Sequence, residues 1–188
     1  YQPNNVVNRG AMAQFLQRLA GWTDAQIAEK YADAPTKFQD ISALRKSNPQ
    51  RYNAILWLAD TGITVGCHPS GIQFCPNSPV IRGAMAEFMQ KFAGVKNVPS
   101  STSVFPDVKT KDVTVKYHHL NQTSKVKGLS QARIGAINWL AQNKITQGSG
   151  HISGKSAFRP QDPVNRGAMA EFMRKLADAL GSTSAVTD

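Results

Sequence analysis

Acidic residues are scarce in this chain: 12 Asp and Glu stand against 22 Lys and Arg, a formal net charge of +10 over 188 residues. Such an excess predicts an anionic partner, whether nucleic acid, an acidic polysaccharide or an anionic surface. Long apolar runs are absent, and none reaches the ~20 residues of a membrane span, which excludes a spanning helix. Tyr1-Gln2-Pro3-Asn4-Asn5 shows no basic stretch followed by an apolar one, so no signal peptide is read there. Histidines number four, and His68, His118, His119 and His151 all fall in expected loops, outside any Ser/Cys–His–acid pattern. No Gly-x-x-x-x-Gly-Lys-Ser/Thr phosphate loop occurs, and nothing calls for a cofactor. The expectation is a protein that is not an enzyme. Nucleic acid finds no support beyond charge, because no basic helix with interleaved aromatics, zinc-finger spacing or RNA-recognition sequence is present.

What the chain does have is repetition. Arg9-Gly-Ala-Met-Ala-Gln-Phe-Leu-Gln-Arg-Leu-Ala-Gly21 returns as Arg82-Gly-Ala-Met-Ala-Glu-Phe-Met-Gln-Lys-Phe-Ala-Gly94 and as Arg166-Gly-Ala-Met-Ala-Glu-Phe-Met-Arg-Lys-Leu-Ala-Asp178. Upstream, Phe74-Cys-Pro76 and Phe158-Arg-Pro160 align with Tyr1-Gln-Pro3. Further back, the segment from Ala54 through Trp57 to Gly66 aligns with that from Ala136 through Trp139 to Gly148. Phe38-Gln-Asp40 and Phe105-Pro-Asp107 open the two complete units. The boundaries read as half a repeat over 1–22, a helical linker over 23–37, a second repeat over 38–95, a linker over 96–104, a third repeat over 105–180 and a flexible tail over 181–188. A chain that begins in mid-repeat is expected to be a piece of a longer protein, unless the helix-like stretch 24–32 fills the gap.

Two helices per unit follow from the periodicity. Met85, Phe88, Met89 and Phe92 fall at i, i+3, i+4 and i+7, one apolar stripe. Asn8 and Asn165 stand where an N-cap belongs, whereas Ile81 has no side-chain oxygen to cap with. Ile55, Leu58 and Ala59, like Ile137, Leu140 and Ala141, share a face of the Trp-bearing helix, and Gly62 or Asn143 is suited to its left-handed end. Two helices joined by a long loop bury both stripes only by stacking with neighbouring units, so the fold is expected to be mainly α.

The order Phe38…Asp40…Gly62-Ile63-Thr64-Val65-Gly66…Phe74-Cys75-Pro76…Arg82, repeated as Phe105…Asp107…Ile145-Thr146-Gln147-Gly148…Phe158-Arg159-Pro160…Arg166, resembles S-layer homology repeats. The Trp-Leu-Ala and Arg-x-Ala-Met-Ala wording is similar to the version in high-GC Gram-positive surface proteins. The resemblance implies helix–loop–helix repeats in a pseudo-threefold arrangement around a central helix bundle. It implies an extracellular, cell-wall or cell-surface module that holds an anionic, often pyruvylated, wall polysaccharide in grooves between repeats. The family's Thr-Arg-Ala-Glu signature appears as Asn8-Arg9-Gly10-Ala11, Ile81-Arg82-Gly83-Ala84 and Asn165-Arg166-Gly167-Ala168, keeping the arginine and losing Thr and Glu. Alternatives are a protein–protein assembly module, including a homo-oligomer that completes the first repeat, and an attachment domain cut from a wall-degrading enzyme.

Arginine in a first helical turn opposes the helix dipole by some tenths of a kcal/mol. Placing Arg9, Arg82 and Arg166 there makes sense if free N–H groups and the guanidinium share a carboxylate or phosphate. Gly10, Gly83 and Gly167 then allow close backbone approach. The competing expectation is a buried salt bridge from each arginine to Asp40, Asp107 or another repeat's acid. Trp57 and Trp139 are candidates for stacking on sugar rings, although packing inside apolar helices suits them better; Tyr1, Phe74 and Phe158 read as loop anchors. Cys67 and Cys75, the only cysteines, share one loop, where a disulfide fits an exported protein and contributes roughly 2–3 kcal/mol. With His68 they would offer zinc only three ligands, so no metal is expected. Residues 108–133 carry five Lys, His118, His119 and Arg133 against Asp112 alone, and read either as a supplementary polyanion surface or as a solvated spacer.

Overall fold

The computed structural model describes residues 2–96, 98, 102–117 and 122–184. Tyr1, His118, His119 and the last four residues of the expected tail lie outside them. The chain divides into two compact units, residues 1–80 and 81–188. Each unit joins the Arg-led helix of one sequence repeat to the Trp-bearing half of the next.

The first unit runs α1 (Arg9–Leu19), α2 (Asp24–Tyr31), a 3-10 turn (Gln39–Ile41), α3 (Leu44–Ser47) and α4 (Pro49–Asp60). Asn8 caps α1 by accepting from the Ala11 N–H at 2.9 Å, as its position predicts. Thr23 and Gln26 form a capping box that starts α2 inside the expected linker. Pro49 takes the first turn of α4, where its missing N–H goes unused, and Asn48 caps it. Helices α1, α2 and α3 all pack on α4. Met12, Leu16, Ile27, Phe38, Ile55 and Phe74 are fully buried among them.

The second unit contains α5 (Arg82–Phe92), β1 (Val113–Tyr117), β2 (Gln122–Val126), α6 (Gln131–Gln142), β3 (His151–Ile152), β4 (Lys155–Ser156) and α7 (Arg166–Ser184). Helix α5 packs on α6 as α1 packs on α4. Sheet is confined to two antiparallel hairpins, so the described residues are mainly α. The β3–β4 hairpin occupies the longer loop of the third repeat. Ser153 and Gly154 both have positive φ, as its two-residue turn requires. The left-handed residue that ends α6 is Lys144 at φ 57°, not Asn143, which sits at φ −88° and lends its side chain to the Trp139 carbonyl instead. Helix α7 continues through Ser184, into the stretch read as tail. No helix among the described residues is long and apolar enough to cross a membrane.

Candidate functional site

The Phe-x-Asp motif folds back on the Phe-x-Pro loop of its own repeat. Asp40 accepts the N–H of Phe74 at 2.9 Å and of Cys75 at 2.6 Å. Asp107 accepts the N–H of Phe158 at 2.9 Å, the N–H of Arg159 at 2.7 Å and the Tyr117 hydroxyl at 3.1 Å. Adjacent N–H groups can converge on one carboxylate because Cys75 and Arg159, the middle residues of Phe-x-Pro, both adopt left-handed backbone, at φ 58° and 60°. A Cβ on Gly66 would lie 2.6 Å from the Gln73 carbonyl oxygen, and on Gly148 2.5 Å from that of Ala157, so the loop closes only over glycine. The paired phenylalanines meet at 5.5 Å in both repeats, Phe38 with Phe74 and Phe105 with Phe158.

Onto this clamp comes the helix-start arginine of the preceding repeat. Arg9 Nε donates to the Phe74 carbonyl and Arg82 Nε to the Phe158 carbonyl, each at 2.7 Å. Their guanidinium carbons sit 4.8 Å over the Phe74 ring and 4.7 Å over the Phe158 ring, within cation–π range. The first helical N–H groups are engaged as well. Arg9 and Gly10 donate to Ser78 and Pro76, and Arg82 and Gly83 to Asp162 and Pro160. The loop carbonyls thus take the helix-start N–H groups of α1 and α5 that were expected to share an anion with the guanidinium. They also satisfy the start of α5, where Ile81 supplies no cap. Neither Asp40 nor Asp107 forms the salt bridge weighed for these arginines; both serve backbone N–H groups.

Burial differs among the three arginines. Arg82 is 8% exposed, whereas Arg9 and Arg166 are half-buried. Loss of hydration pushes the Arg82 guanidinium down to about 10, with Asp162 and Asp107 working against the shift. Its Nη2 is buried and has no hydrogen-bond partner among the described residues. Asn165 accepts from Ala168 N–H at 2.8 Å and starts α7 at Arg166.

The glycines after Arg9 and Arg82 have a role that sequence reasoning missed. A Cβ on Gly10 would lie 2.6 Å from Arg51 Cδ, and on Gly83 2.8 Å from Arg133 Cδ. A second arginine, on the Trp-bearing helix, crosses over the glycine. Arg133 reaches Glu87 Oε2 through Nη2 at 2.7 Å and Nε at 3.1 Å, while Arg51 Nε lies 3.4 Å from Gln14 Oε1. The signal was available: Arg51 and Arg133 stand three residues before the aligned Ala54 and Ala136. Gly167 is half-buried. Trp57 and Trp139 are 4% and 8% exposed, so packing occupies most of both rings.

A cavity recurs beside the clamp. In the first unit about 310 Å³ is lined by Tyr31, Thr36, Lys37, Phe38 and Asp60. In the second about 640 Å³ is lined by Ser103, Phe105, Asn138, Gln142, Thr146 and Ser156. Phe38 aligns with Phe105 and Asp60 with Gln142, and the turns are alike: Phe38 N–H donates to Thr36 Oγ1 and Phe105 N–H to Ser103 Oγ. At the rim of the first cavity Asp60 Oδ2 accepts from Tyr31 Oη at 2.6 Å and Lys30 Nζ at 3.2 Å. The Tyr31 and Lys30 bonds hold its carboxyl below the usual range. The Cys67–Cys75 disulfide is formed, and the described residues hold no cluster of metal-ligating side chains.

The fold and clamp define a helical repeat protein with the same loop-locking device in both units. Residues 126–170, from the end of β2 to the first turns of α7, match the family model of the S-layer homology domain. That stretch is similar to the S-layer homology domain, a family of non-catalytic modules that anchor proteins at the cell surface. No curated protein matches the chain.

Proposed function

We propose that this protein holds a surface protein to the cell wall by binding an anionic secondary wall polysaccharide, with Arg9, Arg82 and Arg166 as its charged contacts. The observation that carries the reading is Arg82. Its guanidinium is held beside the Phe158 carbonyl and ring, and its buried Nη2 has no hydrogen-bond partner among the described residues, a donor that a ligand oxygen entering on a small shift of the loop would satisfy. The recurrent cavities support it. Hydroxyl and amide side chains such as Ser103, Asn138 and Gln142 suit the hydroxyls of a sugar chain, while the net charge of +10 favours its acidic groups. Asn8, Asn165 and the three glycines set the backbone on which the arginines stand, and Trp57 and Trp139 act from beneath by packing. A pseudo-threefold arrangement of the repeats, with grooves between them, belongs to the same proposal.

Co-sedimentation with purified cell walls tests it. The wild type should pellet with intact walls and stay in solution with walls stripped of their polysaccharide; equal binding to both would end the anchoring reading. An Arg9→Ala/Arg82→Ala/Arg166→Ala protein that keeps its far-UV spectrum should bind at least about tenfold more weakly, a loss of about 1.4 kcal/mol. Undiminished binding by that folded variant would remove the arginines from the mechanism.

A further inference from the structure

Between Asp40 and Trp57 lie 16 residues, but between Asp107 and Trp139 lie 31; the extra length contains the β1–β2 ribbon. Its register pairs Thr114 with Lys125 and Lys116 with Thr123, while Val113, Val115 and Tyr117 alternate to the other face. That inner face is fixed. Val115, Tyr117 and Val126 are buried with Ala157, Val113 and Ile152 pack against them, and the Tyr117 hydroxyl reaches Asp107 of the loop clamp. Leu129 N–H closes the base on the Lys109 carbonyl at 2.8 Å, and Gly128 N–H on Asp112 Oδ1 at 2.9 Å.

The outer face holds Thr114, Lys116, Thr123 and Lys125, all exposed. Lys116 and Lys125 stand diagonally across the ribbon, roughly 7–8 Å apart at that spacing, so each raises the other's electrostatic energy. Lys109, Lys111 and Lys127 surround the base, also exposed. Asp112 is the acid in this stretch, and it lies 3.4 Å from Lys125 Nζ. A face of alternating hydroxyl and ammonium groups, short of counter-charge, is therefore built onto one repeat.

We infer that the outer face of the β1–β2 ribbon is a second docking surface for the anionic wall polysaccharide, separate from the helix-start arginines. The inference rests on the anchoring function proposed above. The ammonium groups fit the polymer's carboxylates or phosphates, and Thr114 and Thr123 fit its hydroxyls. Single-stranded nucleic acid fits less well, because stacking needs exposed aromatic faces and Tyr117, the aromatic of the described ribbon, is 4% exposed. A lipid surface fits less well too, since the apolar side chains of the described ribbon residues lie on the inner face.

The test compares the wild type, Lys116→Gln/Lys125→Gln and a charge-matched control, Lys46→Gln/Lys91→Gln, whose lysines are exposed elsewhere. Binding is measured to polysaccharide released from walls of the producing organism and to single-stranded DNA, at about 50 mM and about 300 mM salt, a range over which the Debye length shortens. The ribbon variant should bind the polysaccharide about fivefold more weakly at low salt, converge on wild type at high salt, and leave the control near wild type. Equal losses in the ribbon variant and the control would show that only net charge matters and overturn the inference. No loss in the ribbon variant, with wild-type binding intact, would overturn it while leaving the anchoring function standing. Failure of the wild type to bind the polysaccharide would overturn both. DNA binding tighter than polysaccharide binding, and lost in the ribbon variant, would assign the face to nucleic acid and overturn the inference as well.

Discussion

Asp107 and Asp40 hold equivalent positions and do equivalent work, yet their surroundings set different stakes. Asp107 is fully buried and receives three donors, whereas Asp40 is exposed and receives two. Hydrogen bonds to a charged group are worth about 1.5–3 kcal/mol and are not additive, and water can replace those of an exposed carboxylate. Asp107→Ala should therefore lower stability by about 3 kcal/mol and Asp40→Ala by about 1 kcal/mol, read as shifts in urea midpoint at unchanged m. A larger loss at Asp40 would mean that the loop clamp is not what these residues supply. Alkaline pH separates two further residues. Burial first, then the Asp107 carboxylate, pushes the Tyr117 hydroxyl above its ordinary 10. The folded state thus holds a proton that the unfolded state releases, and stability from Tyr117 is full below pH 10 and lost as pH rises above it. Arg82 has the opposite sign. Burial lowers its value to about 10, below the ordinary guanidinium range, so the unfolded state binds the proton more tightly and stability rises with pH above about 10. Relative to wild type, Tyr117→Phe should gain stability from pH 10 upward and Arg82→Ala should lose it. Parallel curves for all three proteins would refute the assignment.

The helices were legible in the sequence because the 3.6-residue stripe and the Asn caps act locally. Asn8, Asn165 and the burial of Phe74 and Phe158 follow from residue type and position alone. What the Phe-x-Asp motif does was not legible, because the N–H donors its carboxylate accepts from lie 34 and more residues downstream and depend on left-handed backbone at Cys75 and Arg159. The β1–β2 ribbon was hidden by its charge. Val113-Thr-Val-Lys-Tyr117 alternates with period two, but its lysines made the segment resemble a solvated spacer. The loop elements also show two solutions to one mechanical need. The first unit pins Cys75 to Cys67, and the second has the β3–β4 hairpin and an Arg159–Asp162 ion pair in the corresponding loop. The disulfide closes eight residues of separation and should contribute about 2–3 kcal/mol on the chain-entropy estimate. Reduction, or Cys67→Ala/Cys75→Ala, should accelerate amide exchange at Phe74 and along α1 while leaving α6 at its original rate. Equal acceleration in both units would show that the bridge stabilises more than its own loop.

At the scale of the molecule, the sequence repeat and the folding unit are out of phase by half a repeat. Residues 38–95 read as one repeat, but the chain divides after Val80. Interactions explain the offset. Phe74, inside the second repeat, takes its guanidinium from Arg9 of the first, and α4 packs on α1 and α2. Helix α5, which closes the second repeat in sequence, gives Arg82 to Phe158 and receives Arg133 on Glu87. A fragment 38–95 keeps α4 and α5 but loses α1, α2 and α6, so it exposes the faces of Ile55, Leu58, Met85 and Met89 together. A fragment 1–80 keeps α1, α2, α4, the clamp and the disulfide. At about 80 residues a chain buries little more than 60% of its surface, so the bridge matters to whether it folds alone. Under oxidising conditions fragment 1–80 should unfold in one cooperative transition, and fragment 38–95 should show none by circular dichroism on heating. Cooperative unfolding of 38–95 at a midpoint no lower than that of 1–80 would make the sequence repeat the physical unit after all, and would reduce the Arg9–Phe74 contact to decoration on an already stable fold.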